Sequence, residues 1–164
     1  MSAPAARPRK PASRKVPAVQ YAALPYRLAG DRLEVLLITS RRTHRWIIPK
    51  GWPMEGCGPT VCAAREALEE AGVRGVMRKT SIGHFRYLKH LRNGADYPCR
   101  VEVFPLKVTR ERDDWAEKKA RERRWLPAAE AAAQVGDPQL RLVILRFRAR
   151  VAARSRARNG AGGT

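Results

Sequence analysis

Gly51-Trp52-Pro53-Met54-Glu55-Gly56-Cys57-Gly58-Pro59-Thr60-Val61-Cys62-Ala63-Ala64-Arg65-Glu66-Ala67-Leu68-Glu69-Glu70-Ala71-Gly72-Val73 decides the fold of this chain. A Gly- and Pro-containing loop runs into a helix-forming segment; Pro59 suits a first helical turn and Gly72 the residue just past the last. Glu66, Glu69 and Glu70 stand at i, i+3 and i+4 on one helical face, Glu69 and Glu70 about 60° and 40° either side of Glu66. Val61, Ala64, Leu68 and Ala71 form the expected core-facing stripe opposite them. Three adjacent carboxylates raise one another's pKa, a cost that a hard, oxygen-seeking cation such as Mg²⁺ removes.

The segment resembles the Nudix box, Gly-x5-Glu-x7-Arg-Glu-U-x-Glu-Glu-x-Gly-U with U a bulky apolar residue. Gly51, Arg65, Glu66, Glu69, Glu70, Gly72 and Val73 fall in register. Two positions depart: Cys57 replaces the first glutamate, and Ala67 is small for U. In the family that glutamate pairs with the box arginine, so Arg65 here is free to pair with Glu69 or with a group elsewhere. Over residues 19–147 the chain resembles the diphosphoinositol polyphosphate phosphohydrolase-like branch, in Leu24-Pro25-Tyr26-Arg27, Leu33 to Arg41, Trp46 to Met54 and Trp125-Leu126-Pro127. The resemblance implies an α/β fold, a mixed sheet sandwiched between helices, and Mg²⁺-dependent (or Mn²⁺-dependent) cleavage of phosphoanhydride bonds.

At 164 residues and 44% hydrophobic content the chain suits one domain with a real core. Its longest apolar run, Val35 to Ile38, has strand length, far short of a membrane span. No secretory signal is visible in residues 1–17. Cys57, Cys62 and Cys99 form neither a CxxC pair nor a zinc spacing, which fits a reducing cytoplasm. Thirty-four Lys and Arg against fifteen Asp and Glu leave a net charge of +19. Residues 1–17 carry five of these cations and no acid; residues 141–164 carry seven arginines and no acid. Such ends suit non-specific nucleic-acid contact, and the remaining basicity suits a polyanionic substrate.

The expected organisation is a basic Pro/Ala-rich disordered tail over 1–17, a domain over 18–153 and a flexible basic tail over 154–164. Alternating and continuous apolar runs predict strands at Val19–Leu28 and Leu33–Thr39 around a turn at Ala29–Asp31, a short strand at Trp46–Ile48, and one strand, or two with a bulge near Gly83, over Val73–Tyr87. Further strands are expected at Arg100–Thr109 and Arg124–Leu126. Residues 110–124 read as a charged loop or irregular helix. Pro127 and Pro138 open two helices, the second with Leu140, Val143, Ile144, Phe147 and Val151 on one face.

Hydrolysis of a polyphosphate needs a cation site, a proton acceptor for water and groups that hold the phosphates. Glu66 and Glu70 are the metal-ligand candidates, with a backbone carbonyl near Lys50 or Gly51. Glu69 is the candidate base, as the branch resemblance implies; candidates outside the box are Glu111, Asp113, Asp114 and Glu117. Arg41, Arg42, Arg45 and Lys50 are the phosphate-binding candidates, followed by Arg27 and Arg86. The expected substrate is a diphosphoinositol polyphosphate or a dinucleoside polyphosphate. The alternative is a non-catalytic Nudix-fold module that binds RNA or another polyanion.

Overall fold

The structure, a computed structural model, describes residues 16–162. Strands β1 (Ala18–Ala29) and β2 (Arg32–Thr39) form an antiparallel hairpin in which Tyr26 faces Val35. The turn between them uses Gly30 at φ 63°, a backbone region open to glycine. Two short strands follow, β3 (Trp46–Ile47) on β2 and β4 (Lys50–Gly51) on β1. Helix α1 (Pro59–Ala71) leads to β5 (Val73–Met77), β6 (Gly83–His90) and β7 (Asp96–Glu111). β7 runs parallel to β1, with Ala22 beside Val103; the other pairings are antiparallel. β8 (Arg123–Pro127) closes the far side on β2 and feeds α2 (Ala128–Gln134) and α3 (Pro138–Gly160).

The segment over 73–87 resolves into two strands. Its bulge lies at Arg74/Gly75, where a β-carbon on Gly75 would stand 1.8 Å from the Lys107 carbonyl oxygen. β7 starts four residues before the expected Arg100 and passes through Pro98 and Pro105. Pro105 is tolerated because its outer edge is where pairing passes from β6 (Gly83 opposite Val103) to β5 (Met77 opposite Leu106).

Both faces of the sheet are buried, which explains the continuous apolar runs in β1, β2 and β7. Ala22, Leu24, Tyr26, Val35, Leu37, Val101 and Val103 pack against Ala131, Leu140, Ile144 and Phe147 of α2 and α3. Ala23, Leu36, Ile38, Phe104 and Leu106 pack against Ala63, Ala67 and Ala71 of α1. The expected α/β/α sandwich with a mixed sheet is the observed fold. Asp137 caps α3, accepting from the backbone N–H groups of Gln139 (2.8 Å) and Leu140 (3.0 Å).

Two expectations change. The apolar stripe predicted on α1 is not the buried one: Val61 is 55% exposed, and the sheet is met by Ala63, Ala67 and Ala71. Small side chains let the helix axis approach the sheet closely, and the same rotation carries Glu70 inward. At the C-terminus, helix α3 continues to Gly160 through residues assigned to a tail from 154. Alanine and arginine are good helix formers, and Arg158 complements the negative helix end. The N-terminal tail expectation falls largely on residues 1–15, outside the described residues. Among the described residues no helix is long and apolar enough to cross a membrane.

Candidate active site

Gly51 faces α1 from β4, and a β-carbon there would stand 2.0 Å from Glu66 Oε1. Only glycine lets this carboxylate lie against the strand. One turn on, Glu70 accepts the Lys50 backbone N–H at Oε2 (3.1 Å) and the Arg121 guanidinium at Oε1 (2.8 Å). Glu69 turns sideways and accepts from Arg65 Nε at 2.9 Å, one of the two pairings open to that arginine. The three box carboxylates therefore split: Glu66 and Glu70 face the strand, while Glu69 is 45% exposed. Where the box has its first glutamate, Cys57 donates its backbone N–H to the Met54 carbonyl (3.1 Å) and accepts from Cys62 Sγ (3.8 Å) at its own carbonyl. One main-chain bond and one thiol bond close the loop there.

The segment over 112–122 is a turn-rich loop pinned to the end of α1. Gly72 caps the helix at φ 67°, its N–H bonded to the Ala67 and Leu68 carbonyls. Arg112 N–H donates to the Gly72 carbonyl (2.8 Å), Trp115 Nε1 to the Glu70 carbonyl (3.1 Å) and Glu117 N–H to the Glu69 carbonyl (3.1 Å). Arg121, its side chain 7% exposed, joins Glu70, Glu117 and the Thr39 carbonyl. Of the four acids considered outside the box, Glu117 alone is held here. Glu111 accepts from Trp125 Nε1 (2.9 Å), and Asp113 and Asp114 are exposed. Arg121 is the residue that sequence reasoning missed; its only local signal is the i, i+4 spacing to Glu117.

Burial pushes the Glu70 carboxyl up to about 7, against the opposing pull of Arg121 and the Lys50 N–H. Burial, then the Glu69 and Glu117 charges, raise Glu66. Burial also lowers the Lys50 ammonium, partly offset by Glu70. Crowded carboxylates of this kind suit a hard cation. Among the described residues no three His, Cys, Asp or Glu side chains converge on one point. One or two carboxylates completed by carbonyl, water and phosphate oxygens is the usual coordination of Mg²⁺, and the donor set fits it.

The Lys50 side chain crosses to the other face of β4. Its Nζ donates to Tyr87 Oη at 3.2 Å, and that hydroxyl donates to Gln20 Oε1 at 2.6 Å. Lys50 and Tyr87 line a cleft of about 610 Å³ with Ser40, Thr43, Arg45 and Trp46. Arg45 and Lys50 are thus brought together. Arg41 Nη1 lies 3.7 Å from Glu117 Oε1, on the carboxylate side of the sheet edge. Arg42 is exposed and does not line the cleft. Arg86 alternates away from Phe85 and Tyr87, which do line it. Arg27 is five residues along β1 from Ala22, about 17 Å at strand rise. It pairs with Glu34 (2.6 Å) and Glu111 (3.6 Å) and stacks over Trp125. Arg27 is a hairpin residue, away from the site.

Glu66 and Glu70 thus stand against the β4 backbone on one face, and Lys50 and Arg45 line a cleft on the other. The sequence model of the NUDIX domain matches residues 19–147, and the chain belongs to that family. It is 39% identical over 104 residues to "Nudix hydrolase 12, mitochondrial" of Arabidopsis thaliana, covering 62% of this chain and 51% of that protein. It is 35% identical over 101 residues to "Diphosphoinositol polyphosphate phosphohydrolase 3-beta" of Bos taurus, covering 60% and 57%. The chain thus spans little more than half the length of these relatives. Its fold is similar to the C. elegans Ap4A hydrolase (TM-score 0.59, 19% identity, 84% of this chain and 100% of that one).

Proposed function

We propose that the chain is a divalent-cation-dependent hydrolase of phosphoanhydride bonds in a polyphosphorylated small molecule, such as a diphosphoinositol polyphosphate or a dinucleoside polyphosphate. The observation that carries this reading is the Glu66–Glu70 pair held against the Gly51 and Lys50 backbone, at the sheet edge that also presents Lys50 and Arg45 to a cleft. Relatives whose names specify diphosphoinositol polyphosphate and Ap4A hydrolysis support the substrate class.

Glu66 and Glu70, with a main-chain carbonyl near Lys50 or Gly51, would hold Mg²⁺, or Mn²⁺ in its place. When bound, the ion supplies charge neutralisation and polarises a phosphoryl oxygen. Lys50 Nζ and the Arg45 guanidinium hold phosphates by charge-assisted hydrogen bonds. Arg41 extends this positive edge toward Glu117. Glu69, the more solvent-accessible carboxylate, takes the proton of the attacking water, and the Arg65 Nε bond aims it. Glu117 is the rival acceptor, because the loop sets it beside Glu66. Three free cysteines fit a cytoplasmic setting, although several relatives are named as mitochondrial.

Cleavage of ADP-ribose, a nucleoside triphosphate, a dinucleoside polyphosphate and a diphosphoinositol phosphate, followed by chromatography of the phosphorylated products with and without Mg²⁺, tests the reading. Cation-dependent cleavage that is fastest on the last two is expected. No cleavage of any of the four would favour the non-catalytic polyanion-binding module.

A further inference from the structure

We infer that the C-terminal half of α3 and the β5–β6 connection form a second site, remote from the box carboxylates, that binds the sugar–phosphate backbone of a single-stranded nucleic acid. The starting observation is that the basic segment up to Gly160 is helical. Two adjoining cavities lie along it. One, of about 190 Å³, has Ile82, Pro105, Phe147 and Val151 as an apolar wall and Arg78, Arg150 and Arg154 as its charged lining. The next, of about 360 Å³, shares Arg78 and Arg154 and adds Arg158. No acidic residue lines either cavity, and none of the ion pairs among the described residues involves these four arginines.

The cations are placed, not merely abundant. Arg150, Arg154 and Arg158 recur every four residues, a step of about 6 Å along the helix axis. Arg78 faces them from a segment tied to the sheet by its N–H bond to the Pro105 carbonyl (3.0 Å). Guanidinium forks facing one another at a regular step fit a linear chain of phosphodiesters better than a compact anion. No aromatic residue among the lining side chains is exposed, so there is no platform for base stacking, and recognition is through the backbone without sequence preference. A membrane surface fits less well, because beyond Leu145 no large hydrophobic side chain of α3 is exposed.

The inference is independent of the hydrolase reading, and its test separates the two. Anisotropy of a fluorescein-labelled oligouridylate would be titrated with the full chain over a range of salt. Arg150→Gln/Arg154→Gln should weaken binding about tenfold and reduce the slope of log K against log salt by about 1.4, two contacts on a single strand. Arg148→Gln/Arg156→Gln removes the same charge from the other flank of the helix and should change binding less than threefold. Arg78→Gln, outside the helix, should weaken binding as well. Phosphate release from a small substrate and thermal unfolding should be unaltered in all three. Equal losses in the two helix doubles, an unaffected Arg78→Gln, or tighter binding of inorganic polyphosphate or polyglutamate at matched charge would each overturn the assignment.

Discussion

Glu70 shows how one buried carboxylate couples stability to pH. Its folded-state pKa of about 7 lies above the ordinary carboxylate value of 4.5. Between those values the folded chain binds more protons than the unfolded one, so stability falls as pH rises. The loss begins above about pH 4.5 and is complete above about pH 7. Without divalent cations, thermal unfolding should therefore occur at lower temperature at pH 8 than at pH 5.5. Glu70→Gln should flatten that difference, and Mg²⁺ should raise the midpoint more at pH 8 than at pH 5.5. A wild-type midpoint that climbs over this window would refute the coupling. In catalysis, Glu69→Gln should lower kcat by about two orders of magnitude or more with KM little changed, the signature of a proton acceptor used in the transition state. If Glu117→Gln gives that loss instead, the acceptor is on the loop. Sequence legibility at this scale was uneven. Glu66, Glu69 and Glu70 are fixed by local helix spacing, whereas Arg121 reaches Glu70 across 51 residues and leaves no local pattern.

At the scale of elements, α1 was legible as a helix and misread in its rotation. Val61, Ala64, Leu68 and Ala71 form one possible stripe, and Ala63, Ala67 and Ala71 another. Hydrophobicity favours the first. Close approach to β1 and β4 selects the second, because Gly51 leaves room for Glu66 and no more. Gly51→Ala should therefore displace Glu66, abolish most Mg²⁺-dependent turnover and cost about 1–3 kcal/mol of stability from overpacking. Full activity in a folded Gly51→Ala protein would show that Glu66 is not needed at this position. Gly72→Ala probes the loop: its β-carbon would meet the Trp115 ring at 2.8 Å in a backbone conformation unfavourable for alanine. A loss of about 1–3 kcal/mol in denaturant unfolding is expected, with faster hydrogen exchange at Glu117, whose N–H bonds to α1.

For the whole molecule, strands flanking one internal helix suggested a layered α/β domain, and the resemblance to the Nudix family supplied the specific form, a mixed sheet between helices. The β1–β7 parallel pairing did not, since nothing local to either strand names its partner. The helical extent of α3 was also hidden, because its periodic apolar face stops at Val151 and the Arg/Ala run beyond reads equally as a helix or a solvated tail. Removing residues 155–164 should trim helical circular dichroism while leaving hydrolysis and the main unfolding transition nearly unchanged, because the buried positions of α3 end at Phe147. A collapse of turnover in that truncated, folded chain would place the helix end in the catalytic site.

The long strand β7 has a consequence for biosynthesis. Its inner edge pairs with β1 from Ala18 onward, and its outer edge carries β6 and β5. Until the ribosome has released it, the hairpin at the start of the domain has an open edge, and the strand that fills it is about eighty residues behind. Closing so long a loop is slow, and an unpaired apolar edge is where nascent chains meet one another. Refolding after dilution from denaturant should thus lose yield with rising protein concentration, and a chain arrested just before Asp96 should be held by chaperones, whereas the full-length chain, with β7 paired and α2 and α3 on the sheet, should acquire protease resistance.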